Sequence, residues 1–314
     1  MEPLFFKPLY KSVIWGGNNI SKEFKRNIEG DNIGESWEVS AHPSGLSIIE
    51  NTEFSGESLL NLFNNEKIKQ DIFGTNCLKM EKFPILIKFI DATQKLSIQV
   101  HPGNEYAKIH ENDSGKTEVW YIMKCRDNAK IVYGFKNNVT PEGLCEAIDN
   151  IEENIKYVKV HKGDFISIPS GTIHAIMDGI ILCEIQQSSD VTYRVYDWNR
   201  LDKNGRPREL HKQKAMYVIN LCNDNKIYNY DKIESNINIY KTSFFNIDIL
   251  RIKKQLNEVS NKKSFYVYIV LEGHGYIKSK NFFRKIQKGT TFLIPSCLGH
   301  YLLIGNMSLM KIYV

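Results

Sequence analysis

One pattern occurs twice in this chain, and it limits the fold more than any single motif does. Lys162-Gly163 precedes a four-residue apolar stretch that ends at Pro169, with His174 following. Lys288-Gly289 precedes a matching stretch that ends at Pro295, with His300 following, and lysine and histidine stand equally far apart in both copies. A recurring unit of this kind implies two related domains. Around it lie short runs at 83–90, 96–100, 119–123, 130–133, 155–160, 164–168 and 180–186, rich in Ile, Val, Phe and Tyr and bounded by Gly, Pro, Asn and Asp. That is the pattern of a β-sandwich or small barrel. Helical signals are few: 55–71 carries Leu59, Leu60, Leu62 and Phe63 at helical spacing, Thr140-Pro141-Glu142 opens a second helix, and a third runs over about 210–220. The chain reads as mainly β, with a catalytic domain over 1–230 and a degenerate copy over 231–314. A helical and polar linker occupies about 202–231, and the Asn-rich stretch 223–238 is the best boundary.

Composition narrows the function classes. The 314 residues are 42% hydrophobic, 25% charged and 11% aromatic, ordinary values for a folded domain with a core. A net charge of +5 is scattered, with no basic run and no nucleic-acid module, so it favours small anions at most. No apolar run reaches membrane-spanning length and the first seven residues do not read as a signal or transit peptide, so cytoplasmic residence is expected. Cys77, Cys125, Cys145, Cys183, Cys222 and Cys297 are widely spaced with no CxxC pair. They are expected to be reduced and mostly buried.

The chemistry concentrates in Leu96-Ser97-Ile98-Gln99-Val100-His101-Pro102, in Gly115-Lys116-Thr117-Glu118, and at His174. In a strand, Gln99 and His101 at i and i+2 point to one face and can converge on one ion. Two imidazoles, one carboxylate and one weak amide suit a transition metal and leave coordination positions open for water or substrate. The second copy lacks counterparts of Gln99, His101 and Glu118, so its His300 is expected to be a half-buried structural histidine. Glu184 interrupts an apolar strand and needs a partner or a role.

These residues carry a family resemblance. The runs 83–92, 96–102 and 115–121, the block ending at His174, Tyr193-Arg194-Val195-Tyr196-Asp197-Trp198 with Arg200, and Trp15-Gly16-Gly17 with Glu35-Ser36-Trp37-Glu38 resemble the type I mannose-6-phosphate isomerases. The match spans most of the first two hundred residues and is similar to the short bacterial form, without a large helical insertion. The resemblance implies a double cupin, two β-sandwich or jelly-roll barrels with a few short helices. It also implies one zinc ion per chain held by Gln99, His101, Glu118 and His174, with Gln99 the weakest ligand. Ser97, Lys88 and Lys116 match substrate-binding positions, Arg194 matches the catalytic arginine, and Lys116 and Glu184 are further catalytic candidates. The implied reaction interconverts mannose 6-phosphate and fructose 6-phosphate through an enediolate. Glu184, a deprotonated Lys116 and a zinc-bound hydroxide each remain candidates for the proton shuttle. The competing reading is a catalytically silent cupin that binds or senses a sugar phosphate. Taken singly, Lys88 and Lys116 could be snorkelling lysines, and Arg194 could stack on Tyr193, Tyr196 or Trp198. Trp15-Gly16-Gly17 and Trp37 read as packing and turn elements. Neither a nucleic acid, a membrane nor a protein partner is implied.

Overall fold

Three antiparallel sheets stack in layers because the middle one is apolar on both sides. The computed structural model describes residues 1–136, 139–202, 204–221 and 226–314. Cys222 and the head of the Asn-rich stretch, at 223–225, lie outside the described residues. The middle sheet has seven strands: Leu9–Gly17, Ile33–Val39, Ile85–Ala92, Glu118–Cys125, Asp164–Ile168, Ile180–Gln187 and Ile227–Asn229. Every residue of Ile85–Ala92 and Ile180–Gln187 is buried, which is why their sequences run nearly continuously apolar instead of alternating with polar residues. Alternation still sorts the faces. Ile90, Trp120, Ile122 and Leu182 face a five-stranded sheet, while Ile87, Phe89, Val119, Tyr121 and Ile185 face the C-terminal half.

The five-stranded sheet holds Ile98–Val100, Lys130–Phe135, Ile155–Lys159, His174–Ile176 and Tyr193–Tyr196. Its outer face is covered by the short helices Leu144–Asp149, Ile151–Asn154 and Lys212–Val218, through Ile98, Val100, Val132, Ile148, Tyr193 and Ala215. These two sheets form the first sandwich. A nine-stranded sheet supplies the second, around the fourteen-residue strands Tyr266–Ser279 and His300–Tyr313. A register shift between Val270 and Glu272 bends this pair, and the distal halves carry Phe282–Gln287 and Gln255–Val259 as neighbours. The bent sheet encloses its own core of Tyr266, Tyr268, Phe292, Tyr301 and Leu309. Each such side chain, fully buried, contributes roughly 1.5–3 kcal/mol.

The chain passes from the middle sheet at Ile227–Asn229 to the nine-stranded sheet at Ile237–Lys241. We propose 1–230 and 231–314 as the two domains, with one strand exchanged. Leu4–Lys7 lies across the boundary, pairing Leu4 with Leu293 and Phe5 with Phe292. The repeat has a physical basis in its glycines: Gly163 and Gly289 have φ of +84° and +82°. A Cβ there would stand 2.4 Å from Asp231 and 2.5 Å from Phe24, respectively. The two repeat lysines converge on one carboxylate, Lys162 Nζ lying 2.9 Å and Lys288 Nζ 2.8 Å from Glu272 Oε1.

The helices differ from the periodic reading. The segment 55–71 forms two pieces, Leu59–Asn64 and Lys69–Phe73, because Asn65 turns extended and its side chain accepts from the Lys67 amide. The second helix begins at Leu144 after a turn in which Thr140 Oγ1 accepts from the Gly143 amide. The described cysteines are free; only Cys77 and Cys183 are fully buried, Cys125 and Cys297 are half-buried, and Cys145 is exposed. His300 is exposed, not half-buried, and the next residue, Tyr301, takes the inward position and bonds the Tyr268 hydroxyl at 2.7 Å.

Arg26 ties the halves together. Its guanidinium donates to both Glu38 carboxylate oxygens, at 2.7 and 2.8 Å, and to the Gly289 carbonyl. Because Glu38 is buried, Arg26→Ala leaves an unpaired carboxylate in the core. That change is expected to cost about 3 kcal/mol in urea denaturation. A loss below about 1 kcal/mol would contradict the role of this ion pair.

Candidate active site

The site lies between the two sheets of the first sandwich, and strand register builds it. Gln99 pairs with His174 on one side and with Arg194 on the other, which puts these three side chains on one face of the five-stranded sheet. Opposite them, Glu184 pairs with Lys88 and Trp120, and Gln186 with Glu118, so Lys88, Glu118, Trp120 and Glu184 share the facing surface. His101 follows the strand Ile98–Val100 and keeps its alternation, as Ser97 does before it.

His101, Glu118 and His174 converge: one donor atom from each lies within 4.8 Å of the others, and all three residues are buried. His101 Nε2 is 3.5 Å from Glu118 Oε2, and His174 Nε2 is 3.4 Å from Glu118 Oε1. Ligands at about 2.1 Å from one tetrahedral ion would stand about 3.4 Å apart, and each imidazole keeps about that separation from a different Glu118 oxygen. The tautomers fit as well. His101 Nδ1 donates to the Val191 carbonyl at 2.9 Å and His174 Nδ1 to the Thr172 carbonyl at 2.9 Å, leaving both Nε2 lone pairs turned inward. Burial holds both imidazoles in the neutral form a metal requires, His101 well below the ordinary histidine value and His174 down to about 4. Glu118 Oε1 is buried without a hydrogen bond, and Oε2 lies 2.9 Å from the Lys116 ammonium. Burial, reinforced by the neighbouring Glu184, raises the Glu118 carboxyl, although Lys116 works against this. A carboxyl held up in this way must give up its proton to ligate, so a cation and a proton compete for Glu118.

The remaining site residues surround this centre. Lys116 Nζ stands 2.9 Å from Glu118 Oε2, 3.2 Å from His101 Nε2 and 4.0 Å from Glu184 Oε1. Glu184 Oε2 accepts from Trp120 Nε1 at 3.0 Å, while Oε1 is buried without a hydrogen bond. Burial alone would raise this carboxyl, but Lys116 and Lys88 hold it below the usual range. Lys88 lies 3.5 Å from Glu184 and 3.8 Å from Glu35, over the Trp37 ring; burial opposes its charge, and the two carboxylates more than restore it. Ser97 is buried and Gln99 half-buried, with the Gln99 amide group 3.3 Å from His174 Nε2. Arg194 is half-buried, its Nη1 donating to the Glu209 carbonyl at 2.9 Å and its Nε buried without a partner. Its charge is disfavoured by burial and by Arg208. Sequence reasoning missed the Thr172 and Val191 carbonyls, since a backbone acceptor leaves no residue signature. It also left Trp120 and Glu35 without roles, although both stand within the quoted motifs.

A mainly β double sandwich with a buried two-histidine, one-carboxylate cluster in its first half defines a cupin with a candidate metal centre. Residues 4–139 match the family described as phosphomannose isomerase type I, catalytic domain, and residues 236–314 match the mannose-6-phosphate isomerase cupin domain. The mannose-6-phosphate isomerase ManA of Bacillus subtilis is 39% identical over 97% of this chain and 96% of its own length. The mannose-6-phosphate isomerase of Streptococcus mutans is 34% identical over 98% and 97%. The crystal structure of the Bacillus subtilis mannose 6-phosphate isomerase superposes with a TM-score of 0.90 at 32% identity, covering 100% of both chains. The chain belongs to the type I phosphomannose isomerases, which are aldose–ketose isomerases of the cupin fold.

The geometry separates the two repeat histidines. His174→Ala is expected to abolish stoichiometric metal binding, whereas His300→Ala leaves it unchanged; metal content after dialysis against a weak chelator measures both. Loss of metal in the His300 variant would contradict the placement of the centre.

Proposed function

We propose that this chain interconverts mannose 6-phosphate and fructose 6-phosphate, with one zinc ion held by His101, Glu118 and His174 and more weakly by Gln99. The observation that carries the reading is the buried donor cluster with Lys116 and Glu184 set against it, in a chain of this family. When bound, the ion supplies Lewis-acid stabilisation of negative charge on the sugar oxygens O1 and O2.

The chain's own residues supply the rest. Aldose and ketose differ by a proton moved between C1 and C2, and the intermediate enediolate carries negative charge. Glu184 Oε1 is the proton carrier: it is anionic at neutral pH, buried, and free of hydrogen bonds. Trp120 fixes its other oxygen, so the carboxylate can take the proton from one carbon and return it to the next without reorienting. Lys116 is the second catalytic group, a cation within reach of both Glu118 and Glu184 that can hold charge on O1 or O2. Arg194 adds positive charge from the opposite sheet, and its unpartnered Nε is a donor available to substrate. Ser97 and Lys88 complete the substrate contacts, Lys88 also holding Glu184 ionised. A cytoplasmic location fits the free, widely spaced cysteines.

A coupled assay with mannose 6-phosphate tests the proposal. Chelation is expected to abolish turnover and zinc add-back to restore it. Zinc-loaded protein that binds the sugar phosphate without turning it over would point to the silent sensor instead. Arg194→Ala is expected to retain zinc and lower kcat by about 10²–10³-fold, as removal of a transition-state donor does in other enzymes. Full activity in that variant would remove Arg194 from the mechanism.

A further inference from the structure

Behind His101, on the side away from the metal-ligand cluster, a half-buried carboxylate organises the loop that fixes its imidazole. Asp113 Oδ2 accepts from Ser189 Oγ at 3.2 Å, from the Asp190 amide at 3.3 Å and from His42 Nε2 at 3.3 Å, and Asp113 Oδ1 accepts from Lys82 Nζ at 3.0 Å. Ser189 Oγ in turn accepts from the Val191 amide at 3.3 Å, and the carbonyl of that same residue accepts the Nδ1 proton of His101. The path is therefore continuous: Asp113, Ser189, Val191, His101. Ser189, at the centre of this path, is fully buried, whereas Asp113 and Val191 are half-buried and Asp190 is exposed. His42 is itself fixed as a donor toward Asp113, because its Nδ1 accepts from the Ser44 amide. Burial works against the charge on Asp113, but the bonds from His42 and Lys82 hold its carboxyl well below the usual range.

A second set of bonds clamps the same two loops further along. Gln187 Oε1 accepts from the Thr117 amide at 3.0 Å, and Asn104 Oδ1 accepts from Gln187 Nε2 and the Gly115 amide at 3.0 and 2.9 Å. The segment 113–118, which carries Lys116 and Glu118, and the segment 187–191, which carries the Val191 carbonyl, are thus joined at both ends. Asp113 is the charged member of this clamp and belongs to none of the motifs that the reaction uses.

We infer that Asp113 is a positioning residue: acting through Ser189 and Val191, it holds the His101 imidazole in the tautomer and orientation that present Nε2 to the metal. The inference rests on the proposed metal centre. Partners that orient a ligating histidine typically change metal affinity by about 10–100-fold when removed.

Cobalt(II) serves as the probe, because its visible absorption reports ligand geometry independently of turnover. Wild-type protein is expected to bind one equivalent with an intense visible band. Asp113→Ala is expected to bind cobalt about 10–100-fold more weakly, with an altered band and a lowered kcat but a KM for mannose 6-phosphate within about twofold of wild type. Asp113→Asn, which keeps an oxygen for Ser189 and Asp190, is expected to recover most of the affinity. Lys82→Ala, which removes only the solvent-side ion pair, is expected to behave as wild type. Ser189→Ala carries the same test should Asp113→Ala fail to fold, with a weaker affinity and an altered band at an unchanged melting temperature of the metal-free protein. Wild-type affinity and spectrum in the Asp113→Ala or Ser189→Ala protein would overturn the inference, as would an equal loss in Lys82→Ala. Wild-type protein that takes up no cobalt would instead overturn the metal centre itself.

Discussion

A row of charged and aromatic side chains crosses the buried middle sheet, and the layered fold is what keeps that row dry. Trp37, Lys88, Glu184 and Trp120 stand in register on adjacent strands, with Glu118 one step along. Ionised groups in such a place are tolerated only when each has an opposite charge or a hydrogen bond within reach. Lys88 lies between Glu35 and Glu184, and Lys116 between Glu184 and Glu118, so cations and carboxylates alternate. The alternation separates the two central carboxyls, keeping Glu184 ionised while Glu118 holds its proton more strongly. Two like groups with opposed tendencies can serve two tasks, one as proton carrier and one as cation ligand.

The two halves show the same scaffold filled in two ways. In the first sandwich, His174 points inward and the interior is polar where the row of charges lies. In the second, His300 faces solvent, and the space is filled by Tyr301, Tyr268 and Phe292, with Tyr268 and Phe292 stacked at 5.3 Å. Only one face of the nine-stranded sheet is so occupied; the other, through Phe245, Val267, Ile269 and Met310, backs the middle sheet of the catalytic half. The C-terminal half thus excludes water from the rear of Ile87, Phe89, Val119 and Tyr121, strands whose front faces carry Lys88 and Glu118. Leu4–Lys7, paired into the C-terminal sheet, and Glu272, shared by Lys162 and Lys288, keep the layers in contact.

Much of this was legible in the residues, for reasons that can be named. The strand Asp164–Ile168 was read to the residue, and Ile180–Gln187 within one residue, because Gly, Pro and Asp bracket a dense apolar run. His101, Glu118 and His174 could be grouped because polar residues in apolar strands need a reason to be there. The strand Leu4–Lys7 could not be found, since its partner lies nearly the whole chain away and only tertiary pairing selects it. Leu9–Gly17 was hidden by an alternation interrupted by Lys11 and the paired glycines. The helix expected over 55–71 failed for a local reason: an Asx turn at Asn65 competes with helix continuation, and apolar spacing alone does not register it. The outward turn of His300 was equally illegible, since both repeat histidines open a strand and only their burial differs.

The pocket is built at some expense to the ligand-free fold. Glu118 Oε1 and Glu184 Oε1 lack hydrogen bonds inside the protein, Glu118 Oε2 is met by the Lys116 ammonium at 2.9 Å, and two buried imidazoles are held neutral beside them. Unsatisfied buried polar atoms each cost about 1–3 kcal/mol, so the cluster destabilises the chain that carries it. The surrounding apolar layers supply the excess stability that lets the arrangement persist. A cation that binds only the folded state returns part of that cost, by about 4 kcal/mol at a thousandfold excess over its Kd. Neutral imidazole nitrogens suit a borderline transition ion better than magnesium or calcium, which demand more oxygen ligands. The burial cost of this cluster and its capacity for a cation therefore have one source, a carboxylate buried between two histidines with Lys116 as its charged neighbour.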